Sequence, residues 1–196
     1  MSRRIVAYEW MSLDGVVQAP GAPDEDRDGG FPYGGWHLPY FDDASRQWVV
    51  DGLNRASAFL LGRRTYDNFA AVWPHVTGPE TVVAEPLNTK PKFVASRTLT
   101  DPAWAHTSVL PGDAVKAVTE LTATDGGEIH LIGSAELART LLAHNLIDEL
   151  HLMVDPVLLG AGKRLFPTDA ALRRLTLTRS EPTTTGALLL SYSGAS

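Results

Sequence analysis

The sequence predicts an α/β domain with a mostly parallel central sheet, helices on both faces and a C-terminal antiparallel hairpin. Short apolar runs alternate with segments of helical periodicity along most of the 196 residues, which is typical of parallel strands covered by helices. The tail instead holds two strand patterns joined by a turn-rich segment, which predicts a hairpin. A chain of this length with 44% hydrophobic residues can bury one sizeable core, so we expect residues 1–196 to form a single domain.

Composition narrows the classes of function. The net charge of −6 argues against nucleic acid as the partner, because such binding needs a basic face. No apolar run reaches the length of a membrane-spanning helix, so we expect no membrane partner. With no cysteine, and with six histidines that lack ligand spacing, we expect no metal site. These features favour a cytoplasmic protein that acts on a small-molecule substrate.

The first predicted strand covers residues 5–10 and leads directly into Ser12-Leu13-Asp14-Gly15-Val16-Val17. A carboxylate and a glycine at the end of a buried strand lie where ligands bind in open α/β sheets. Two interpretations of Asp14 stand side by side. Its carboxyl group steers or donates a proton to a ligand, or it caps the turn after the strand.

A long aperiodic segment follows, and we predict a lid-like loop at about residues 18–41. Four prolines and two glycine pairs interrupt it, and a structureless segment of this length in a small domain is usually an active-site lid or a disordered insert. Disordered segments are poor in aromatic residues. The aromatic residues of this segment therefore favour a lid, although they could also pack at a subunit interface: Phe31, Tyr33, Trp36, Tyr40 and Phe41.

The junction after the next helix is the strongest candidate for an anion site. Asp42 or Asp43 is predicted to cap a helix that runs to about Ala58. The strand over residues 58–62 ends at Gly62, and Arg63-Arg64-Thr65 opens a helix with Tyr66 and Phe69 on one face. Backbone N–H groups at such a helix start point at one spot and attract anions. A surface turn with two solvated arginines is an equally weighted alternative for this segment taken alone.

The remaining elements follow in order. Pro74 ends the second helix, and residues 74–90 are predicted as loop with a short strand over residues 81–84. Asp113 is predicted to cap a later helix. The other predicted strands are residues 92–95, 128–132, 147–154 with an extension past a bend through 156–159, 175–179, and 187–192.

Two later strand ends also carry polar or small residues. One strand ends at Ser96-Arg97, and another ends at Gly133-Ser134-Ala135, which opens a helix containing Leu137. If the strands are parallel, these junctions share one sheet edge with Asp14-Gly15 and Gly62-Arg63. The sequence therefore predicts a common binding edge.

The chemistry of that edge favours a dinucleotide. Two helix starts could hold a pyrophosphate, and a Ser-Arg pair together with Arg63 could bind one further phosphate through charge-assisted hydrogen bonds. Two separated phosphate sites describe NADPH better than NADH. The G-x-G-x-x-G fingerprint is absent, so the prediction depends on the combination of sites.

Several motifs resemble those of the dihydrofolate reductase-like family, and more closely its branch similar to the C-terminal reductase domain of the bifunctional riboflavin-biosynthesis deaminase/reductase. The resemblance covers nearly the whole chain. The motifs that carry it are Ser12-Leu13-Asp14-Gly15, Leu61-Gly62-Arg63-Arg64-Thr65-Tyr66, Val94-Ala95-Ser96-Arg97, Ile132-Gly133-Ser134, and Asp155-Pro156-Val157-Leu158-Leu159-Gly160-Ala161-Gly162.

The resemblance implies a dihydrofolate reductase-like fold, NADPH as the cofactor and a homodimer, with the aromatic loop and the terminal hairpin as possible contact surfaces. It also implies cofactor-binding roles along the common edge. The nicotinamide and its ribose would lie along Ala7, Asp14, Gly15 and Val16. The phosphates and the adenine would lie against Gly62, Arg63, Arg64, Thr65, Ser96, Arg97, Gly133, Ser134, Ala135 and Leu137.

Two hypotheses of function follow. In the first, the protein is an NADPH-dependent reductase that transfers hydride to a C=N or C=O bond of a small heterocyclic, pterin- or pyrimidine-like compound. In the second, it is a nucleotide-binding sensor or regulatory module without turnover. Aromatic side chains are predicted to form the substrate pocket, although core packing explains some of them equally well: Trp36, Tyr40, Phe41, Tyr66 and Phe69.

Overall fold

An eight-stranded sheet forms the centre of the computed structural model, which describes residues 2–166, 168–169 and 171–194. The strand order is β4-β3-β2-β5-β1-β6-β8-β7. The strands are β1 (Ile5–Ser12), β2 (Ala58–Gly62), β3 (Lys92–Ala95), β4 (Thr107–Leu110), β5 (Ile129–Ile132), β6 (Glu149–Asp155), β7 (Leu175–Pro182) and β8 (Leu188–Gly194). The first six are parallel, and β8 runs antiparallel to both β6 and β7. The predicted fold class is confirmed, including the terminal hairpin.

Five α-helices cover the two faces: α1 (Asp43–Arg55), α2 (Arg63–Val72), α3 (Thr81–Thr89), α4 (Ala114–Thr122) and α5 (Ala135–Ala143). Alternation along β1 separates the faces, because successive side chains of a strand point in opposite directions. Ile5 and Ala7 pack with α4 and α5, whereas Val6 and Tyr8 pack with Trp48 of α1. Helices α2 and α3 lie on the same face as α1.

Two predicted strands are wrong. Residues 81–84 belong to helix α3, because Val83, Ala84 and Leu87 are buried along one side of a helical turn; the β-branched pair at 82–83 had suggested a strand. The extension through residues 156–159 is also absent, since β6 ends at Asp155 and the chain leaves the sheet there.

One helix boundary also differs from the sequence prediction, and one strand was not predicted. Helix α1 is capped by Asp42, as expected, but it ends at Arg55, because Ala58 already begins β2. Strand β4 was not predicted, since it is a short edge strand of mixed polarity without a buried residue. No helix in the described ranges is both long and apolar enough to cross a membrane.

Candidate functional site

A cleft of about 980 Å³ lies at the carboxyl ends of the parallel strands. Strands β3, β2, β5 and β1 are neighbours in that order and run in the same direction, so their ends meet at one edge of the sheet. The cleft is lined by Gly62, Ser96 and Gly133, which follow or end three of these strands. Junctions far apart in the sequence are therefore brought together.

The starts of α2 and α5 are joined directly in this cleft. The N–H group of Gly62 donates to Ser134 Oγ at 2.8 Å, and Ser134 Oγ donates to Thr65 Oγ1 at 2.9 Å. A Cβ atom on Gly62 would lie 3.3 Å from the Ser134 side chain, so a larger residue there would push Ser134 away by a few tenths of an ångström. Ser134 itself adopts a left-handed conformation (φ +63°) and makes no side-chain cap to its own helix. The first N–H groups of α5 are thus left for another acceptor.

Cationic side chains are concentrated at the β3 end of the cleft. Arg63 Nε lies 2.8 and 2.9 Å from the two carboxylate oxygens of Asp67, and its Nη1 donates to Thr98 Oγ1 at 3.2 Å. Ser96 Oγ accepts from the N–H groups of Thr98 and Leu99 and so shapes the turn after β3. Arg97 lines the cleft, is exposed, and makes no side-chain hydrogen bond or ion pair within the described residues.

The segment predicted as a lid is anchored beside the cleft by an ion cluster. Asp26 lies 2.8 Å from Arg64 and 2.6 Å from Lys163, while Asp28 lies 2.5 and 2.8 Å from the same two cations. Burial is the largest influence and raises the pKa of Asp26, but the hydrogen bonds from Lys163 and the Asp28 N–H group, together with the charges of Lys163 and Arg64, outweigh it, and the net pKa is lowered. Gln18 Nε2 also donates to the backbone oxygens of Asp26 and Asp28. Arg64, predicted to bind phosphate, is therefore already neutralised by carboxylates.

Glu9 is a cleft residue that the sequence reasoning missed. It lies on β1, lines the cleft and is only 1% exposed. Its Oε1 is buried without a hydrogen-bond partner among the residues described. Burial raises the pKa of the Glu9 carboxyl well above its ordinary value. The available signal was an acidic residue inside an otherwise apolar strand pattern, where an unpaired charge is costly.

A comparison with known families decides the relationship. The sequence profile of the RibD C-terminal domain matches residues 3–189. The chain belongs to the RibD C-terminal domain family. Two relatives from Bacillus subtilis (strain 168), the uncharacterized proteins YyaP and YwjB, are 28% and 25% identical to it over 171 and 166 residues. These alignments cover 84% and 85% of this chain, and 80% and 84% of the relatives.

Solved structures share the fold of this RibD C-terminal domain. A "putative riboflavin biosynthesis protein" from Shewanella sp. PV-4 superposes with a TM-score of 0.70 at 22% identity, with all of both chains covered. A pyrimidine reductase-like protein from Corynebacterium diphtheriae gives a TM-score of 0.63 at 15% identity, over 99% of this chain and 92% of the other. At these identities the likeness concerns the fold alone.

In this RibD C-terminal domain, Asp14 serves as the cap of a turn. Its carboxylate accepts from Ser12 Oγ at 2.6 Å and from the N–H groups of Leu159 and Gly160 at 3.1 and 2.9 Å. The hydrogen bond from Ser12 is the main cause that lowers the pKa of Asp14 to about 2. These contacts are those of a turn cap, as one of the two interpretations of Asp14 expects. The other, in which Asp14 steers or donates a proton, stays a prediction.

All four residues predicted to lie along the nicotinamide, Asp14 included, are absent from the described lining of the cleft. Ala7 and Val16 are fully buried in the core, and Gly15 forms the positive-φ corner (φ +86°) of the turn that Asp14 caps. Position along the strand accounts for this at Ala7, because the cleft is lined by residues nearer the carboxyl end of β1, Glu9 and Trp10.

Of the five aromatic residues predicted for the substrate pocket, Phe69 lines the cleft and four lie elsewhere. Trp36 is buried against Val16, Ala19 and Phe31, and Tyr66 is buried where its hydroxyl oxygen accepts from the N–H group of Trp104 at 3.2 Å. The other two lie near the start of α1. The Tyr40 carbonyl accepts from Thr185, and the Phe41 ring contacts His37 and Arg46.

Proposed function

We propose that this protein is an NADPH-dependent reductase that transfers hydride to a C=N or C=O bond of a small heterocyclic, pterin- or pyrimidine-like compound. The observation that carries the proposal is the meeting of two helix starts without side-chain caps, those of α2 and α5, with cationic side chains in one cleft. Unpaired N–H groups and guanidinium groups together form a site for a polyanion.

Different residues would bind different parts of the cofactor. Gly133-Ser134-Ala135 and Leu137 would hold the pyrophosphate at the start of α5, where the left-handed Gly133 (φ +54°) allows close approach of the backbone. Arg63, Ser96 and Arg97 would hold the 2′-phosphate that distinguishes NADPH from NADH. The pair between Arg63 and Asp67 is about half exposed on both sides, so it is weak and a phosphate can compete for the guanidinium.

The substrate class rests on the family and on the shape of the inner cleft. The Corynebacterium relative in fold is described as pyrimidine reductase-like, and the same family profile spans nearly all of this chain. Trp10, Phe69 and Ile132 provide apolar surface there, while Gln18, Ala19 and Pro20 of the anchored segment form the opposite wall. Such surfaces favour a flat ring and exclude water.

Bound NADPH would supply the hydride, so the protein has to bind, orient and protonate. The starts of α2 and α5 would hold the phosphates, and the apolar residues that line the cleft would receive and orient the ring of the cofactor. The ion cluster of Asp26, Asp28, Arg64 and Lys163 holds the wall over residues 18–28 in place. This wall keeps solvent from the reacting atoms.

A binding titration tests the cofactor assignment. NADPH is expected to quench the tryptophan fluorescence saturably and to raise the melting temperature, with NADH binding more weakly. Arg97→Gln should weaken NADPH roughly 10- to 100-fold, because a hydrogen bond to a charged group contributes about 1.5–3 kcal/mol, and it should leave NADH nearly unchanged. Arg139→Gln, an exposed change on α5 outside the described cleft lining, is the control. Failure of wild type to bind NADPH would overturn the proposal.

Turnover separates the reductase from the sensor hypothesis. NADPH absorbance is followed while pterins, pyrimidines and quinone-like acceptors are offered in turn. Consumption that depends on one acceptor class supports the reductase. Saturable binding with no consumption across the panel would favour a nucleotide-binding sensor instead.

A homodimer is also part of the proposal. β7 is an edge strand whose residues are all exposed, including Leu175 at 43% and Leu177 at 53%. An unpaired edge with exposed apolar side chains is a template for pairing with another chain. Light scattering is expected to give a dimer for wild type and a monomer for Leu177→Lys, and a wild-type monomer would contradict this part.

A further inference from the structure

The acidic residues that line the cleft differ sharply in their surroundings. Glu25 accepts from two backbone N–H groups, and Asp26 is held by two cations. Asp67 pairs with an arginine, and Asp113 caps α4. Each of these carboxylates already has at least one hydrogen-bond or ion-pair partner that anchors it.

The other two acids of the described lining are Glu9 and Glu136. Glu136 is exposed on the first turn of α5. Glu9 combines nearly complete burial with an Oε1 atom that makes no hydrogen bond within the part of the chain the structure describes. A buried carboxyl group without a partner is costly when ionised, so it retains its proton. In that form the carboxyl group can donate a hydrogen bond and a proton to a ligand in the cleft.

The strand register places Glu9 at the inner end of the cleft. On one side of β1, Tyr8 is level with Ile132, and the Tyr8 carbonyl accepts from the N–H group of Gly133 at 3.1 Å. On the other side, Glu9 is level with Leu152. Glu9 therefore lies one residue beyond the point where β5 turns into the start of α5, away from the cationic β3 end.

We propose that Glu9 is a catalytic acid of this protein, which donates its proton to the nitrogen or oxygen of the substrate's C=N or C=O bond; this rests on the proposed function. Bound NADPH would provide the hydride to the carbon of that bond. The Oε–H bond of Glu9 breaks and an N–H or O–H bond forms, while the π electrons of the double bond become the pair that accepts the proton. Glu9 is left as a carboxylate and takes up a proton from water after product release.

Other charged groups line the same cleft but do not contribute to the raised pKa of Glu9. The anchored wall contributes Glu25 and Asp26, the segment before β7 contributes Lys163, and the helix starts contribute Arg63, Arg64 and Glu136. Burial alone accounts for the raised pKa of Glu9, so these groups do not hold it ionised. The raised pKa of the Glu9 carboxyl therefore follows from its buried position in the fold.

Two matched variants test the proposal, Glu9→Gln and Glu136→Gln. Both remove one carboxyl group from the described cleft lining, but Glu136 is exposed. NADPH affinity should stay within about threefold of wild type in Glu9→Gln, and it should not fall in Glu136→Gln, because that change removes a negative charge from the first turn of α5. With an acceptor identified in the turnover panel, single-turnover reduction should slow by roughly 100-fold or more in Glu9→Gln, the usual contribution of a general acid. Glu136→Gln should react at the wild-type rate.

The pH profile and infrared spectroscopy give readouts that a structural role would not move. The wild-type rate should be constant at low pH and fall as pH rises through the pKa of Glu9, and this fall should be absent in Glu9→Gln. Glu9→Asp should restore part of the rate and the profile. The infrared difference between wild type and Glu9→Gln at neutral pH should contain the C=O band of a protonated carboxylic acid, and that band should shift when NADPH binds.

The outcomes separate the two proposals. If NADPH binds and is consumed at the same rate by Glu9→Gln, or if the carboxylic acid band is missing at neutral pH, Glu9 is not the acid and the reductase assignment stands. If wild type does not bind NADPH, the reductase assignment fails and the role of Glu9 fails with it. If Glu9→Gln does not fold, the Glu9→Asp profile and the wild-type band decide.

Discussion

Two pairs of helices in this protein differ in how their N-termini are capped. The Asp42 carboxylate caps α1 by accepting from the N–H group of Ser45 at 2.9 Å, and Asp113 caps α4 by accepting from that of Lys116 at 2.8 Å. Helices α2 and α5, which start inside the cleft, have no side-chain cap. Gly62 has no side chain to offer, and the Ser134 hydroxyl is used to join the two helix starts.

This difference in N-terminal capping indicates where an anion is expected to bind. An aspartate cap stabilises a helix by about 1 kcal/mol, so its absence at two neighbouring helix starts gives up stability that a ligand can restore. Helix α1 begins away from the cleft, and α4 begins at the β4 end of it. The uncapped pair lies between them, at the centre of the sheet edge.

The largest effect is expected when an acid is placed at an uncapped start. Ala135→Asp should weaken NADPH binding by about 100-fold or more, because like charges close together in a partly buried site repel by several kcal/mol. The melting temperature should stay the same or rise, since an acid in the first turn favours the helix. Ala44→Asp puts the same charge in the first turn of the capped α1 and should leave binding unchanged. Titration calorimetry can measure both NADPH affinities. An equal loss of affinity in both variants would contradict the proposed difference between capped and uncapped helix starts.

Removing the caps should give a smaller effect on a different quantity. Asp42→Ala should lower the unfolding free energy by about 2 kcal/mol, the upper end for a cap, because Asp42 also accepts from Thr184 N and Oγ1. Asp113→Ala should cost about 1 kcal/mol. Denaturant unfolding gives both values. NADPH affinity should not change in Asp42→Ala, and a lost affinity there would show that capped and uncapped starts are coupled.

The smallest effect is expected in the dependence of stability on pH. The pKa of Asp42 is lowered in the folded state, so its contribution is present above its unfolded pKa and disappears as pH falls below about 4. The pKa of Glu9 is raised, so its contribution is present below the unfolded value and disappears as pH rises through the folded one. Denaturation at several pH values should therefore show two trends. The unfolding free energy of Glu9→Gln should increase relative to that of wild type as pH rises, and the unfolding free energy of Asp42→Ala should approach that of wild type in acid. Parallel curves would contradict both assignments.

Local chemistry made much of the fold predictable. The caps at Asp42 and Asp113, the strand-to-helix junctions at Gly62 and Gly133, and the closing hairpin each follow from residues within a few positions of one another. Helix α3 was not predicted, because the local sequence and the tertiary packing favour different structures there. A β-branched pair, Val82 and Val83, favours a strand locally, but packing of Leu87 against the neighbouring cluster makes a helix the better solution.

The sequence by itself determined which junctions could bind an anion, since a glycine between a strand and a helix exposes backbone N–H groups wherever it occurs. Only the tertiary structure decided what the individual side chains there do. Arg64 is neutralised by acids about 40 positions earlier, and Asp14 is held by N–H groups more than 140 positions later. Nearly complete burial in the folded protein raises the pKa of Glu9. Charge state depends on burial and on partners, and both are set by contacts between distant parts of the chain.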